Sequence, residues 1–133
     1  MRMVQLSDSL SVSEQIYVED VATIAAAGFK VLINNRPDYE AQNQPTSAEI
    51  AAAAEVAGLD YYHLPVVAGR FPGPDIAQMA ALIDDLDKPA LAFCRSGTRC
   101  TNLWVATRGE AHRAASIAVA RGLGYDLSMA VAR

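Results

Sequence analysis

Cysteine is scarce in this sequence: Cys94 and Cys100 are the two in 133 residues. So few thiols, with no apolar leader run over residues 1–8, argue against a disulfide-stapled secreted fold. Histidine is equally scarce, and His63 and His112 with two thiols make a poor metal site, because structural zinc wants four ligands. No metal and no cofactor is expected. Long apolar runs are missing too: residues 51–54 and 21–28 fall far short of the ~20 residues a membrane span needs. Acids outnumber bases by 15 to 11, giving a net charge of −4 and a pI near 5.0, which argues against nucleic-acid or anionic-membrane binding. The expectation is a soluble, cytoplasmic protein, and 133 residues suit one domain spanning 1–133. Oligomeric state stays open.

Alanine, by contrast, is abundant at 25 residues, so a hydrophobic fraction of 52% overstates the core. Nine of the 11 basic residues are arginine, the side chain better suited to bidentate oxyanion binding. The global count follows the alanine-rich composition, so only an arginine's position carries information.

Short β-rich runs alternate with helical patterns. Residues 12–17 alternate like a half-exposed strand, and 19–27 read as a helix with acids in its first turn and Gly28 as its stop. Residues 30–34 form a buried strand, broken where Pro37 lacks a donor and keeps Arg36 out of helical geometry. Thr46 and Glu49 have the spacing of a capping box, opening a helix that runs to Ala57 and stops at Gly58. Residues 60–64 are an aromatic strand limited by Pro65, and 66–73 a glycine- and proline-containing loop. Pro74 opens a helix to about Leu86, with Met79, Leu82, Ile83 and Leu86 as its core stripe. Residues 90–93 are a further buried strand, 98–107 and 110–121 are helices, and Asp126 caps a last turn over 127–132. This spacing predicts an α/β layered fold with a small, mainly parallel sheet.

One segment stands apart, Ala90-Leu91-Ala92-Phe93-Cys94-Arg95-Ser96-Gly97-Thr98-Arg99-Cys100-Thr101-Asn102. A buried strand delivers Cys94 to its carboxyl end, where ligands bind in α/β sheets. The amides of Arg95 through Cys100 have few intrahelical partners and can converge on an anion, with Gly97 permitting the backbone angle this needs. Arg99 adds a cation with fork geometry. The same field lowers a thiol's pKa and supplies a thiolate nucleophile at neutral pH. A lone cysteine ending a strand is usually a small hydrophobe. Here strand, cysteine, glycine-containing loop, arginine and helix coincide. Cys94 and Arg99 are the expected catalytic pair, and Arg95, Ser96, Gly97, Thr98 and Cys100 the expected anion-binding set.

This organisation resembles the dual-specificity branch of cysteine-based protein tyrosine phosphatases. Val31-Leu32-Ile33-Asn34-Asn35-Arg36 looks like the strand before the first active-site loop, Tyr62-His63-Leu64-Pro65-Val66 like the strand before the general-acid loop, and residues 94–99 like the phosphate-binding loop. Asn35-Arg36-Pro37-Asp38, His63-Leu64-Pro65-Val66 and Cys94-Arg95-Ser96-Gly97-Thr98-Arg99 resemble more closely the bacterial phosphatase-like family of beta-lactamase-hydrolase-like proteins. Members of that family occur alone or fused to a metallo-beta-lactamase-type domain. The likeness covers nearly the whole chain, including residues 124–128. It implies a three-layer phosphatase fold with four to five strands, helices on both faces, and a phosphorylated or other small anionic ligand. Two departures stand out. Such phosphatases carry histidine before the nucleophile and arginine six positions after it, whereas this chain has Phe93 and Cys100 there and its arginine at Arg99. The shorter loop is similar to that of single-domain rhodanese sulfurtransferases, which carry a persulfide on the cysteine.

The resemblance also implies an aspartate in the loop after His63-Leu64-Pro65, to protonate the leaving oxygen. The acid there is Asp75, which also sits where a helix N-terminal charge belongs. Asp38 is the second candidate and equally a turn aspartate after Pro37. Arg36 pairs with Asp38 or contacts substrate, and Arg70 closes over an anion, unless both are surface charges. His63 reads as a core histidine and His112 as solvent-facing. Cys100 is either a resolving thiol for Cys94 or a filler at a position often hydroxylated in relatives, in which case Thr101 offers its hydroxyl to the thiolate. Three readings follow: a cysteine-dependent phosphatase, a sulfurtransferase carrying a Cys94 persulfide, and a non-catalytic anion- or partner-binding module.

Overall fold

The computed structural model describes residues 1–131. One five-stranded sheet runs in the order β1-β2-β5-β3-β4, built from β1 (Met3–Gln5), β2 (Leu10–Ser13), β3 (Val31–Asn34), β4 (Asp60–His63) and β5 (Ala90–Phe93). All neighbours pair in parallel except β1, which is antiparallel to β2. The helices are α1 (Val21–Ala26), α2 (Ser47–Ala57), α3 (Ile76–Leu82), α4 (Thr98–Ala106) and α5 (Glu110–Gly122), with a 3-10 turn at Val18–Asp20 before α1.

Strand alternation sorts the core into two halves. Leu32, Leu91 and Phe93 point to one face and pack with Val21 and Ile24 of α1 and Ile50 and Ala54 of α2. Val31, Ile33, Ala90 and Ala92 point to the other and pack with Met79 of α3, Leu103 of α4 and Ala120 of α5. Helices therefore cover both faces of a mainly parallel sheet, in the three layers the sequence implied.

Three boundaries differ from the sequence reading. Residues 12–17 read as a strand, but β2 covers Leu10–Ser13, because its partner β5 ends at Phe93 and Ser13 is the last residue opposite it. The short β1 carries too few residues for a periodicity and was not foreseen; a turn held by Leu6 N–H donating to Leu10 O (2.9 Å) folds it back on β2. The third helix spans seven residues instead of thirteen or so. Pro72 and Pro74 around a left-handed Gly73 delay its start. Asp84, Asp85 and Asp87 end it early, since acids oppose the negative end of a helix and Asp85 Oδ1 accepts from Asp87 N–H instead (2.9 Å). The last turn closes with Val131 N–H on Leu127 O (2.9 Å), and Ala132 lies outside the described residues. Among the described residues no helix is long and apolar enough to cross a membrane.

The carboxyl ends of the parallel strands finish level. Asn34 lies opposite both His63 and Phe93, and one rung further Asn35 N–H donates to Phe93 O (2.9 Å), Leu64 N–H to Asn34 O (2.9 Å) and Val66 N–H to Asn35 O (3.0 Å). The segments after β3, β4 and β5 thus gather at one end of the sheet. Beside them the C-terminal segment is pinned to α4 through buried Asn102, which donates to Asp126 O (2.8 Å) and accepts from Ala130 N–H (3.0 Å).

α2 opens as expected. Glu49 N–H donates to Thr46 Oγ1 (3.2 Å) while Thr46 N–H donates to Glu49 Oε1 (3.1 Å). Thr46→Ala removes half of this box and is expected to lower unfolding free energy by about 1 kcal/mol, read as a lower urea midpoint at constant slope. An unchanged midpoint would show that the box contributes nothing.

Candidate active site

Cys94 is the first residue beyond β5, and its amide donates to Ser13 O (3.4 Å), so the sheet fixes its position. The chain then turns into α4 through Gly97, which has φ +88° and whose N–H donates to Cys94 Sγ at 3.1 Å. A Cβ there would also lie 3.4 Å from Tyr125 Oη and 3.5 Å from Ser13 O. Those are ordinary contact distances, so it is the left-handed backbone that reserves this place for glycine. Phe93, at the position before the cysteine, is fully buried in the apolar half beneath α1 and α2 and offers the sulfur no polar partner.

The sequence placed an anion under the loop amides. The amides converge on the sulfur itself. A hydrogen bond from the Cys100 thiol is the largest influence on Cys94; burial opposes it, and the N–H groups of Cys100, Ser96 and Arg99 add to it, holding the Cys94 thiol down to about 5. Cys100 moves the other way: complete burial pushes it well up, and giving its proton to Cys94 pushes it further. At neutral pH the pair is therefore one thiolate at Cys94 and one thiol at Cys100. No disulfide joins them.

Arg99 is the centre of the charged network. Its Nη1 donates to Glu40 Oε2 (2.8 Å) and to Val66 O (3.0 Å), and its Nη2 donates to Glu40 Oε1 (2.7 Å). Glu40 Oε1 also accepts from Nε of buried Arg36 (2.8 Å), whose Nη1 reaches Gln15 Oε1 (3.0 Å). The Arg99 bond holds the Glu40 carboxyl below its usual range against partial burial, with Arg36 assisting. Above this network opens a cavity of about 500 Å³ lined by Arg36, Glu40, Ala41, Ala68, Arg95 and Arg99. Three arginines face one carboxylate there, an excess of positive charge on a chain whose total is −4. Glu40 was not singled out from sequence. Its nearest signal is an acid four residues after Arg36, but its main partner lies 59 residues away.

The remaining expected residues divide. Arg95 is exposed and lines the cavity, while the Ser96 hydroxyl donates to Thr98 Oγ1 (2.9 Å) within the loop. Arg36 turns to Glu40 and Gln15 rather than to Asp38. Asp38 Oδ1 accepts from Ser47 N–H (2.8 Å) at the start of α2, away from the sulfur. Asp75 precedes α3 and lines a tight pocket among Asn35, Leu64, Pro72 and Met79. Arg70 is exposed and outside the cavity lining. The Thr101 hydroxyl donates back to Gly97 O (2.8 Å) and steadies the loop rather than the thiolate. His63 is half-buried, with Nε2 2.8 Å from Arg36 O, and His112 is exposed. Among the described residues no three His, Cys, Asp or Glu side chains are placed to hold a metal ion.

The thiolate's ultraviolet absorbance is expected to titrate with a midpoint near pH 5 and to vanish in Cys94→Ser. Cys100→Ala should move the midpoint toward the ordinary thiol value of about 8.5. The folded pKa is depressed, so Cys94 stabilises the fold increasingly as pH rises from about 5 toward about 8.5, and loses that contribution as pH falls back through 5. Wild type should gain on Cys94→Ser across that window in urea unfolding. A midpoint unmoved by Cys100→Ala would remove Cys100 as the donor.

The fold and loop have counterparts elsewhere. The family model of the beta-lactamase hydrolase-like protein, phosphatase-like domain, matches residues 2–111. A beta-lactamase hydrolase-like protein of Agrobacterium fabrum is 32% identical over 133 residues, covering 98% of this chain and 31% of that protein. The chain thus spans about a third of the length of the curated relatives it matches. Among solved structures, a candidate phosphatase of Neisseria meningitidis is 35% identical with a TM-score of 0.77, covering 96% of this chain and 92% of that one. P. aeruginosa TpbA in complex with pTyr shares the fold at 15% identity and a TM-score of 0.65, over 97% of this chain and 77% of that one. With its loop, its sheet order and this match in hand, the chain belongs to the phosphatase-like domain family of the beta-lactamase hydrolase-like proteins.

Proposed function

We propose that residues 1–133 act as one cysteine-dependent phosphatase domain on small phosphate monoesters, in the cytoplasm, where reducing conditions keep Cys94 free. The observation that carries this reading is a buried cysteine sulfur held as thiolate under four loop amides, on the loop whose Arg95 and Arg99 line a positively charged cavity. Cys94 Sγ attacks phosphorus, the S–P bond forms and the ester P–O bond breaks. Water then attacks phosphorus, the S–P bond breaks, and inorganic phosphate leaves with the thiolate restored. The loop amides and Arg99 act on the non-bridging oxygens, where charge is carried in the transition state. TpbA, which shares the fold, binds pTyr, and a phosphorylated ligand of that kind suits the cavity's charge.

Among the described residues, the acids considered for protonating the leaving oxygen are all engaged elsewhere. Asp38 is taken by the α2 amide, Asp75 faces another pocket, and Glu40 is held ionised by two arginines. General acid catalysis typically contributes roughly 10²–10⁴-fold, so the domain should favour leaving groups that depart as stable anions. A second reading, sulfur transfer through a Cys94 persulfide, draws on the same short loop closing its amides on the sulfur.

p-Nitrophenyl phosphate should be hydrolysed, with Cys94→Ser lowering turnover by at least about a thousandfold while still binding phosphate. Glycerol phosphate should react at least about 100-fold more slowly than the aryl ester. Turnover undiminished in Cys94→Ser sinks the phosphatase reading. One added sulfur on Cys94 after thiosulfate treatment, with no phosphate release, would replace it with sulfur transfer.

A further inference from the structure

Arg99 carries five N–H donors in a planar fork. Three are engaged: both hydrogens of Nη1, on Glu40 Oε2 and Val66 O, and one of Nη2, on Glu40 Oε1. Among the described residues, Nε–H and the second hydrogen of Nη2 have no partner. Those two lie along one edge of the guanidinium, parallel and spaced to meet two oxygens of a single oxyanion. Glu40 therefore grips the end of the fork and leaves its side free.

Glu40 is itself braced. Its Oε1 accepts from Arg36 Nε (2.8 Å), the Arg36 side chain is 7% exposed, and Arg36 Nη1 is held by Gln15 Oε1 (3.0 Å). Gln15 N–H donates in turn to Arg95 O in the loop that carries the sulfur (3.3 Å). The segments after β2, β3, β4 and β5 are thus tied together through one carboxylate. Tyr39, just before it, has φ +64°, a backbone conformation that a bulky residue seldom adopts. A carboxylate competing for the substrate's place would cover the side edge of Arg99. Glu40 covers the other.

We propose that Glu40 is a positioning residue that, with the Val66 carbonyl, locks the Arg99 guanidinium so that its Nε/Nη2 edge is presented to the transferring phosphoryl group. The inference rests on the phosphatase reading and deepens it. Glu40 does not touch substrate; it fixes the residue that does. Because the interaction is geometric, it matters most in the transition state, where the phosphoryl oxygens spread into a plane.

The test is steady-state hydrolysis of p-nitrophenyl phosphate by wild type, Glu40→Gln and Glu40→Asp, alongside urea midpoints and phosphate binding in the Cys94→Ser background. Glu40→Gln should lower kcat by about 10- to 100-fold with KM and phosphate affinity within about threefold, and Glu40→Asp should recover part of the loss. Equal or faster turnover with a lower KM in Glu40→Gln overturns the proposal and makes Glu40 a competitor for the anion. Turnover and folded fraction falling together, without recovery by aspartate, reduces it to a stability role and also overturns it. Wild type lacking Cys94-dependent hydrolysis removes the phosphatase reading and this inference together, whereas active wild type matched by Glu40→Gln removes the inference alone.

Discussion

Both edges of β5 are hydrogen-bonded, to β2 on one side and to β3 on the other, and those two ladders determine where the sulfur sits. Both partners end opposite Phe93, so the chain leaves the sheet at Cys94 with no freedom to slide. Everything charged in the molecule's centre is then brought to that point by connections of unequal length. Arg36 and Glu40 arrive on the segment after β3, Val66 on the segment after β4, and Arg99 on the first turn of α4. The strands β2, β3, β4 and β5 deliver all of these to one end because those four point the same way.

Placing a negative sulfur inside an acidic chain sets two demands against each other. Burial favours the neutral thiol, and a fully buried apolar strand end would ordinarily keep it so. The loop reverses this with donors that carry no opposing charge: the Cys100 thiol and the amides of Ser96, Gly97, Arg99 and Cys100. The Arg99 guanidinium is hydrogen-bonded to Glu40, and its charge also acts on the sulfur through space. Cys100, six positions after Cys94, donates to the thiolate, while the arginine one step earlier lines the cavity.

The sequence was most legible where a structure is local. The capping box at Thr46 and Glu49, the apolar strand Ala90–Phe93, and the loop from Cys94 to Arg99 are each complete within a few residues, and each folds as read. Polar partnerships made across the fold were not legible. Arg36 has an aspartate two residues away and chooses a glutamate four away, because Asp38 is drawn to the α2 amide. Glu40 meets Arg99 only after two strands have been laid side by side. Cys100 was read as a filler or a resolving thiol, since nothing local says that a buried thiol will donate to its neighbour's sulfur. β2 was displaced for the same reason: its length is set by β5, not by its own alternation.

Tyr125 lies against the backbone at Gly97, and Asn102 holds the segment around it against α4. The family model's match ends at residue 111, before that tyrosine, whereas the Agrobacterium fabrum relative matches over 98% of the chain. The wall of the sulfur's loop is thus built partly from a segment that the family model leaves out and the curated relatives include. Two proteins sharing every residue of the signature can differ in how tightly the loop is backed, and so in how far it can yield to a larger anion. How tightly that wall is packed, and not the loop's own sequence alone, then sets how far the loop can open.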